Sequence, residues 1–222
     1  MRPELDAATM PASMKALPLD ERGYPVPWFV DWLDGKPEFR AMDPRKWREA
    51  VRERLCWVCG ERLGYWMTFV IGPMCAINRT TAEPPCHPEC ATWSAKNCPF
   101  LSRPHMVRRE DDVINAAACT GQVAGVPILR NPGVTLLWTT RRYKVFNDGN
   151  NKPLIEIGPH HSIEWIAEGR AATRAEVVHS IETGLPLLRQ AAVQEVFVHR
   201  RHAAYEEIER RRRQIESLYP AA

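Results

Sequence analysis

Between Cys56 and Cys90 the chain reads CWVCGERLGYWMTFVIGPMCAINRTTAEPPCHPEC, and no other stretch constrains the fold as strongly. It holds five of the seven cysteines together with His87. Two pairs stand out, Cys56 with Cys59 and His87 with Cys90, each separated by two residues. A C-x-x-C-G run forms a knuckle in which a tight turn aims two thiolates at one point, and Gly60 permits the backbone conformation that such a turn often needs. Six of the seven cysteines fall between Cys56 and Cys98. An odd, clustered set favours metal ligands over a disulfide framework.

The flanking sequence says what the pairs sit on. Tyr24 to Asp43 reads as two short strands joined at Asp34-Gly35, a dipeptide that tolerates the positive φ of a hairpin turn. Asp43-Pro44 then opens a helix, with Asp43 as cap and Trp47, Val51 and Leu55 at helical spacing. After the knuckle, YWMTFVIGPMCAINRT is aromatic and β-branched and is broken at Gly72-Pro73, which predicts a second hairpin. Pro88 suits the first turn of a helix running to about Cys98, with His87 and Cys90 at its start. Knuckle, hairpin, then a ligand pair on a helix is the order of a treble-clef zinc site. The expected ligands are therefore Cys56, Cys59, His87 and Cys90, and the expected ion is Zn2+, favoured by thiolate-rich tetrahedral ligation. Cys86 competes with its neighbour His87, and Cys75 or Cys98 can stand in for an assigned ligand; the spacing leaves that choice open. Cys119 reads as structural.

Beyond the block the pattern changes. Residues 1–20 contain little apolar material and are expected to be disordered, residues 21–100 to form the zinc-binding lobe, and residues 101–125 to connect. Residues 126–222 read as an antiparallel sheet of three or four strands followed by two helices. Arg141, Arg142 and Lys144 make a cationic row on a strand, and His160-His161 mark a turn. Thr173 to Glu176 has capping-box form and launches a helix expected to stop near Gly184. A longer helix is expected from Leu185-Pro186, with an apolar stripe through Val193, Phe197, Ala204, Ile208, Ile215 and Leu218. The fold class is thus α+β, with a treble-clef-like zinc site in an N-terminal lobe, a small antiparallel sheet and a long C-terminal helix.

The longest apolar run, Tyr65 to Ile77, is interrupted and far short of the roughly 20 residues that span a bilayer, and the first residues lack the apolar core of a signal peptide. A soluble, cytoplasmic chain without a membrane partner is expected. With 30 Lys+Arg against 27 Asp+Glu, net charge alone does not name a partner. Local clusters do: Arg103, Arg108 and Arg109 follow the zinc helix, and Arg210, Arg211, Arg212 and Arg213 close the long one. These seven are the expected nucleic-acid contacts, although a helical charge run also pairs with its own glutamates, here Glu206, Glu207 and Glu209.

The segments RGYPVPWFVDW, CWVCGERLG, FVIGPMCAINRTT, PPCHPECA and CPFL resemble an uncharacterised family of cysteine- and histidine-rich bacterial and bacteriophage proteins, with the similarity running from about Leu19 over most of the chain. The resemblance implies a mobile-element context and supplies no catalytic residue. The expected function is a zinc-stabilised binding protein that contacts nucleic acid through basic residues. The alternatives are a module engaging a protein partner such as a host complex and, behind it, a zinc-dependent nuclease or deaminase. His87-Pro88-Glu89 matches half of the deaminase signature, but the C-x-x-C half lies upstream rather than downstream. A nuclease would draw on His105, His160, His161 or Asn78, none of which has a recognisable spacing.

Overall fold

The computed structural model describes residues 8–103, 130–148, 151–193 and 198–221. Strands β1 (Val30–Leu33) and β2 (Lys36–Met42) form the first hairpin, turning at Asp34-Gly35 with both residues at positive φ. Helix α1 (Pro44–Glu53) follows; the Asp43 carboxylate accepts from the Arg45 backbone N–H, so the cap forms as its sequence dictates. Trp47 is buried and its indole donates to the Ala82 carbonyl at 2.7 Å, tying α1 to the loop before the second ligand pair.

The stretch after the knuckle departs from the hairpin expected there. Strand β3 (Met67–Ile71) is followed by helix α2 (Pro73–Asn78) and the short strand β4 (Thr80–Thr81). Gly72-Pro73 begins a helix because Pro73 occupies its first turn, where a missing N–H costs nothing. The two arms never pair with each other. Instead β3 lies beside β5 (Thr135–Thr140), and β4 beside β7 (Pro153–Ile157).

Two antiparallel sheets result. One runs β3-β5-β8-β9, with β8 at Ser162–Ala167 and β9 at Arg170–Ala171; the other runs β4-β7-β6, with β6 at Tyr143–Asn147. The segment expected as a zinc-binding lobe thus lends a strand to each sheet of the later segment. Helix α3 (Pro88–Asn97) lies against β3 and β5, and the short α4 (Pro99–Ser102) follows it. Trp138, Leu136, Phe69, Met67 and Ile166 are fully buried in the shared core.

Helix α5 (Arg174–Val193) starts at the expected capping box: the Glu176 carboxylate accepts from the Thr173 N–H at 2.7 Å, and Thr173 Oγ1 accepts from the Glu176 N–H at 3.3 Å. It does not stop near Gly184. It continues through Gly184 and Pro186, burying Val177, Ile181, Leu185 and Leu188, and packs on α2. Gly184 serves that packing, since a Cβ there would lie 3.1 Å from the Met74 thioether. Helix α6 (Val198–Glu216) buries Ile208 and Ile215 on the expected stripe, while Val193 of α5 is exposed and Phe197 lies outside the described residues. The N-terminal stretch also corrects its expectation from residue 8 onward: Ala12–Met14 form a 3-10 turn and Met14 is buried in the core. Among the described residues no helix is long and apolar enough to cross a membrane.

Candidate metal centre

Cys56, Cys59, His87 and Cys90 converge, with their donor atoms all within 4.8 Å of one another. This Cys3His group could hold a metal ion. The knuckle closes because the Gly60 N–H donates to the Cys56 carbonyl at 2.8 Å and the Cys56 N–H to the Glu61 carbonyl at 2.7 Å. Gly60 has a φ of +79°, the left-handed conformation its sequence position suggested. The return from β3 is closed by a pair of backbone bonds between Thr68 and Cys86, which set His87 as the residue before α3 and Cys90 within its first turn.

His87 is oriented from both sides. Its Nε2–H donates to the Arg62 carbonyl at 3.0 Å, leaving Nδ1 facing the sulfurs, 3.4 Å from Cys59 Sγ and 3.9 Å from Cys90 Sγ. Its backbone N–H donates to Cys56 Sγ at 3.3 Å. Ser13 lies 3.4 Å from Cys90 Sγ, so the N-terminal turn touches the site. Hydrogen bonds from Cys59, Cys86 and Cys90 hold the Cys56 thiol far below its usual range, and the bond to Cys56 pushes Cys90 far above its own. The Cys56 and Cys59 sulfurs push the His87 imidazole up to about 11. The donors thus share protons among themselves, and a divalent cation would displace those protons on binding.

The open choice among cysteines is decided by position. Cys86 lies beside Cys56 and outside the four-residue group, and the hydrogen bond to Cys56 together with burial keeps its thiol protonated. Cys75 sits on α2, pushed up to about 11 by burial, and Cys98 lies between α3 and α4. Neither joins the group. Cys119 lies outside the described residues.

The packing behind the knuckle was not legible from spacing. The Trp28 backbone N–H donates to the Val58 carbonyl at 2.7 Å, and the Trp28 ring would meet a Cβ on Gly60 at 2.7 Å. Gly60→Ala should therefore combine left-handed strain with a clash and cost about 2 kcal/mol. A fall in the urea midpoint, with the metal retained, is the expected measurement; an unchanged midpoint would mean that Trp28 moves freely.

The expected nucleic-acid residues fare unevenly. Arg210 and Arg211 both bond the Glu207 carboxylate, Arg212 pairs with Glu216 at 3.1 Å, and Arg213 is exposed. Arg211 also donates to the Asn78 carbonyl. Arg103 is half-buried and its carbonyl accepts from Asn131 at 3.0 Å; Arg108, Arg109 and His105 lie outside the described residues. Arg79, which no motif singled out, ends α2 in the left-handed conformation with its guanidinium 4.0 Å from the Trp138 ring centroid. Burial and then the Arg211 and Arg210 charges push it down to about 10, and Arg211 reaches the carbonyl of Asn78, the residue before Arg79. No family model, no curated protein and no solved structure matches the chain.

Proposed function

We propose that this is a zinc-stabilised nucleic-acid-binding protein in which the metal holds the fold and takes no part in chemistry. Three thiolates and one imidazole nitrogen are the donors that select zinc over hard cations. A nitrogen about 2.0–2.1 Å and a sulfur about 2.3 Å from a tetrahedral zinc lie about 3.6 Å apart, and His87 Nδ1 stands 3.4 Å from Cys59 Sγ and 3.9 Å from Cys90 Sγ in a group whose donors are all within 4.8 Å of one another. Four protein donors use every tetrahedral position, leaving none for an attacking water. Glu89, the residue a deaminase would need, is exposed on the first turn of α3.

The observation that carries nucleic-acid contact is the gathering of Arg79, Arg210 and Arg211. Arg210 and Arg211 share the single carboxylate of Glu207, and among the described residues Arg79 has no ion pair. Three guanidinium charges thus stand against the Glu207 carboxylate, and Glu207 and Arg211 line a cavity of about 500 Å³ together with Asn78. Glu156 on the cavity wall is opposed across the strands by Lys144. A cationic excess held on a rigid frame attracts polyanions, whose binding weakens steeply with salt.

Anisotropy titration of labelled single-stranded and duplex oligonucleotides tests this. Binding at low salt should weaken as salt rises, and Arg79→Gln should weaken it further and flatten the slope by roughly 0.7 to 0.9 per lost phosphate contact. Absence of binding at low salt would overturn the reading. It would favour a protein partner at β6, an edge strand on which Val145 and Phe146 are each about two-fifths exposed.

A further inference from the structure

We infer that Tyr65, Trp66, His161 and Arg141 form a stacking platform for single-stranded nucleic acid, an inference that rests on the function proposed above and names the form of its ligand. The four residues meet at one end of the β3-β5-β8 sheet by register. Met67 pairs with Thr140 and Thr139 with Ser162, so Trp66, Arg141 and His161 are the first residues beyond the paired ends of three neighbouring strands. The His161 N–H donates to the Thr139 carbonyl at 2.7 Å and fixes the turn that carries it.

The side chains are arranged as an array of rings capped by a cation. Trp66 and His161 stack with centroids 3.8 Å apart and planes 19° from parallel. Tyr65 meets Trp66 edge-on at 5.0 Å. The Arg141 guanidinium lies 5.5 Å from the Tyr65 centroid and 5.6 Å from that of Trp66, and it donates to the Tyr65 hydroxyl. Tyr65 is 63% exposed. His161 and Arg141 are exposed as well, and among the described residues Arg141 has no ion pair. Aromatic rings that served only the core would be buried; here Tyr65 and His161 are exposed around a half-buried Trp66, beside a cation with no ion pair among the described residues.

This array adjoins the arginine cluster. His160, next to His161 in the chain, meets Trp138 edge-on at 5.0 Å, and Trp138 is the ring beneath Arg79. Burial and the Arg79 charge push His160 down, so it is neutral at physiological pH and does not compete for a phosphate. A polynucleotide can therefore set phosphates against Arg79 and Arg141 while a base stacks on the exposed Tyr65 or His161. Only unstacked bases present a face to such rings, whereas a duplex keeps its bases inside, which is why the platform selects single strands.

The test uses the full chain with its metal, a fluorescein-labelled oligothymidylate and a duplex of the same length. Tyr65→Ala should weaken single-strand binding about tenfold, which corresponds to roughly 1.4 kcal/mol for one lost stack, and leave duplex binding unchanged. Tyr65→Phe should bind as the parent does, because the ring and not the hydroxyl stacks. Arg141→Gln should lower the single-strand salt slope by roughly 0.7. Parent-like single-strand affinity in Tyr65→Ala overturns the platform while leaving the proposed function standing, as does an equal loss for duplex. Failure of Tyr65→Phe to restore affinity overturns stacking in favour of the hydroxyl bond to Arg141. A parent chain that binds neither oligonucleotide at low salt removes the platform and the proposed function together.

Discussion

Cys56→Ser should abolish metal binding at the Cys3His group and, with it, the cooperative unfolding transition. Cys56 is fully buried, lies at the centre of the donor group and accepts the His87 backbone N–H, so its loss removes a ligand and a bond that positions a second ligand. Structural zinc contributes an apparent 10–16 kcal/mol in small sites, about as much as the roughly 5–15 kcal/mol by which a whole domain is stable. The knuckle, β3 and α3 belong to the shared core, so the damage is expected to spread beyond the site. Metal analysis should give about one zinc per parent chain and none for the variant, and calorimetry should show the parent transition lost. Cys86→Ser, Cys75→Ser and Cys98→Ser should keep the metal, since none of the three belongs to the group. A metal-free Cys56→Ser that melts like the parent would show that the ion does not hold the fold.

Trp138→Ala should be nearly as damaging without touching a ligand. Among the described residues Trp138 is the largest fully buried side chain, on the strand that β3 and β8 both flank. Removing a buried Trp side chain costs about 3–5 kcal/mol through lost transfer energy and the cavity left behind. The indole also donates to the Gly158 carbonyl at 3.0 Å, and that turn is tight: a Cβ on Gly158 would lie 2.2 Å from the Arg142 carbonyl. Urea unfolding at fixed zinc should show a midpoint far below the parent with an unchanged slope. Trp138→Phe should recover part of the loss, because the ring filling the core is largely kept while the hydrogen bond is not. A parent-like midpoint for Trp138→Ala would contradict the placement of β5 at the centre of the sheet. The same variant takes away the surface on which Arg79 lies, so weaker nucleic-acid binding in it would not by itself distinguish stability from contact; Arg79→Gln separates the two.

The parts of the site that the sequence made legible are those set by neighbours in the chain. The x-x spacing of Cys56 with Cys59 and of His87 with Cys90, the positive φ of Gly60, the cap at Asp43 and the capping box at Thr173–Glu176 depend on backbone geometry over a few residues. The same local reasoning anticipated i,i+4 pairing on α6, which Arg211 makes with Glu207, whereas Arg210 reaches that carboxylate at i,i+3 and Arg212 pairs with Glu216, outside the glutamates expected. It had no means of seeing Arg79. A lone arginine in AINRT carries no pattern, and its meaning comes from a ring on a strand far along the chain and from two arginines on the last helix.

The errors share one cause. Gly72-Pro73 and Gly184 with Pro186 look alike as interruptions, yet Pro73 starts a helix and Pro186 sits inside one. Helix α5 survives its proline because the apolar side chains around it are buried, Val177 and Ile181 before it and Leu188 after, and that burial outweighs a missing hydrogen bond. Sequence by itself determined the two x-x-spaced donor pairs, the helix starts at Pro44, Pro88 and Arg174 and the α+β class, because each follows from residue chemistry and short-range geometry. Tertiary structure alone decided that β3 joins β5, that β4 joins β7, and that Tyr65, Trp66, Arg141 and His161 share one edge. Strand partners are chosen by which apolar faces bury best together, and that is a property of the whole packed core rather than of any stretch within it.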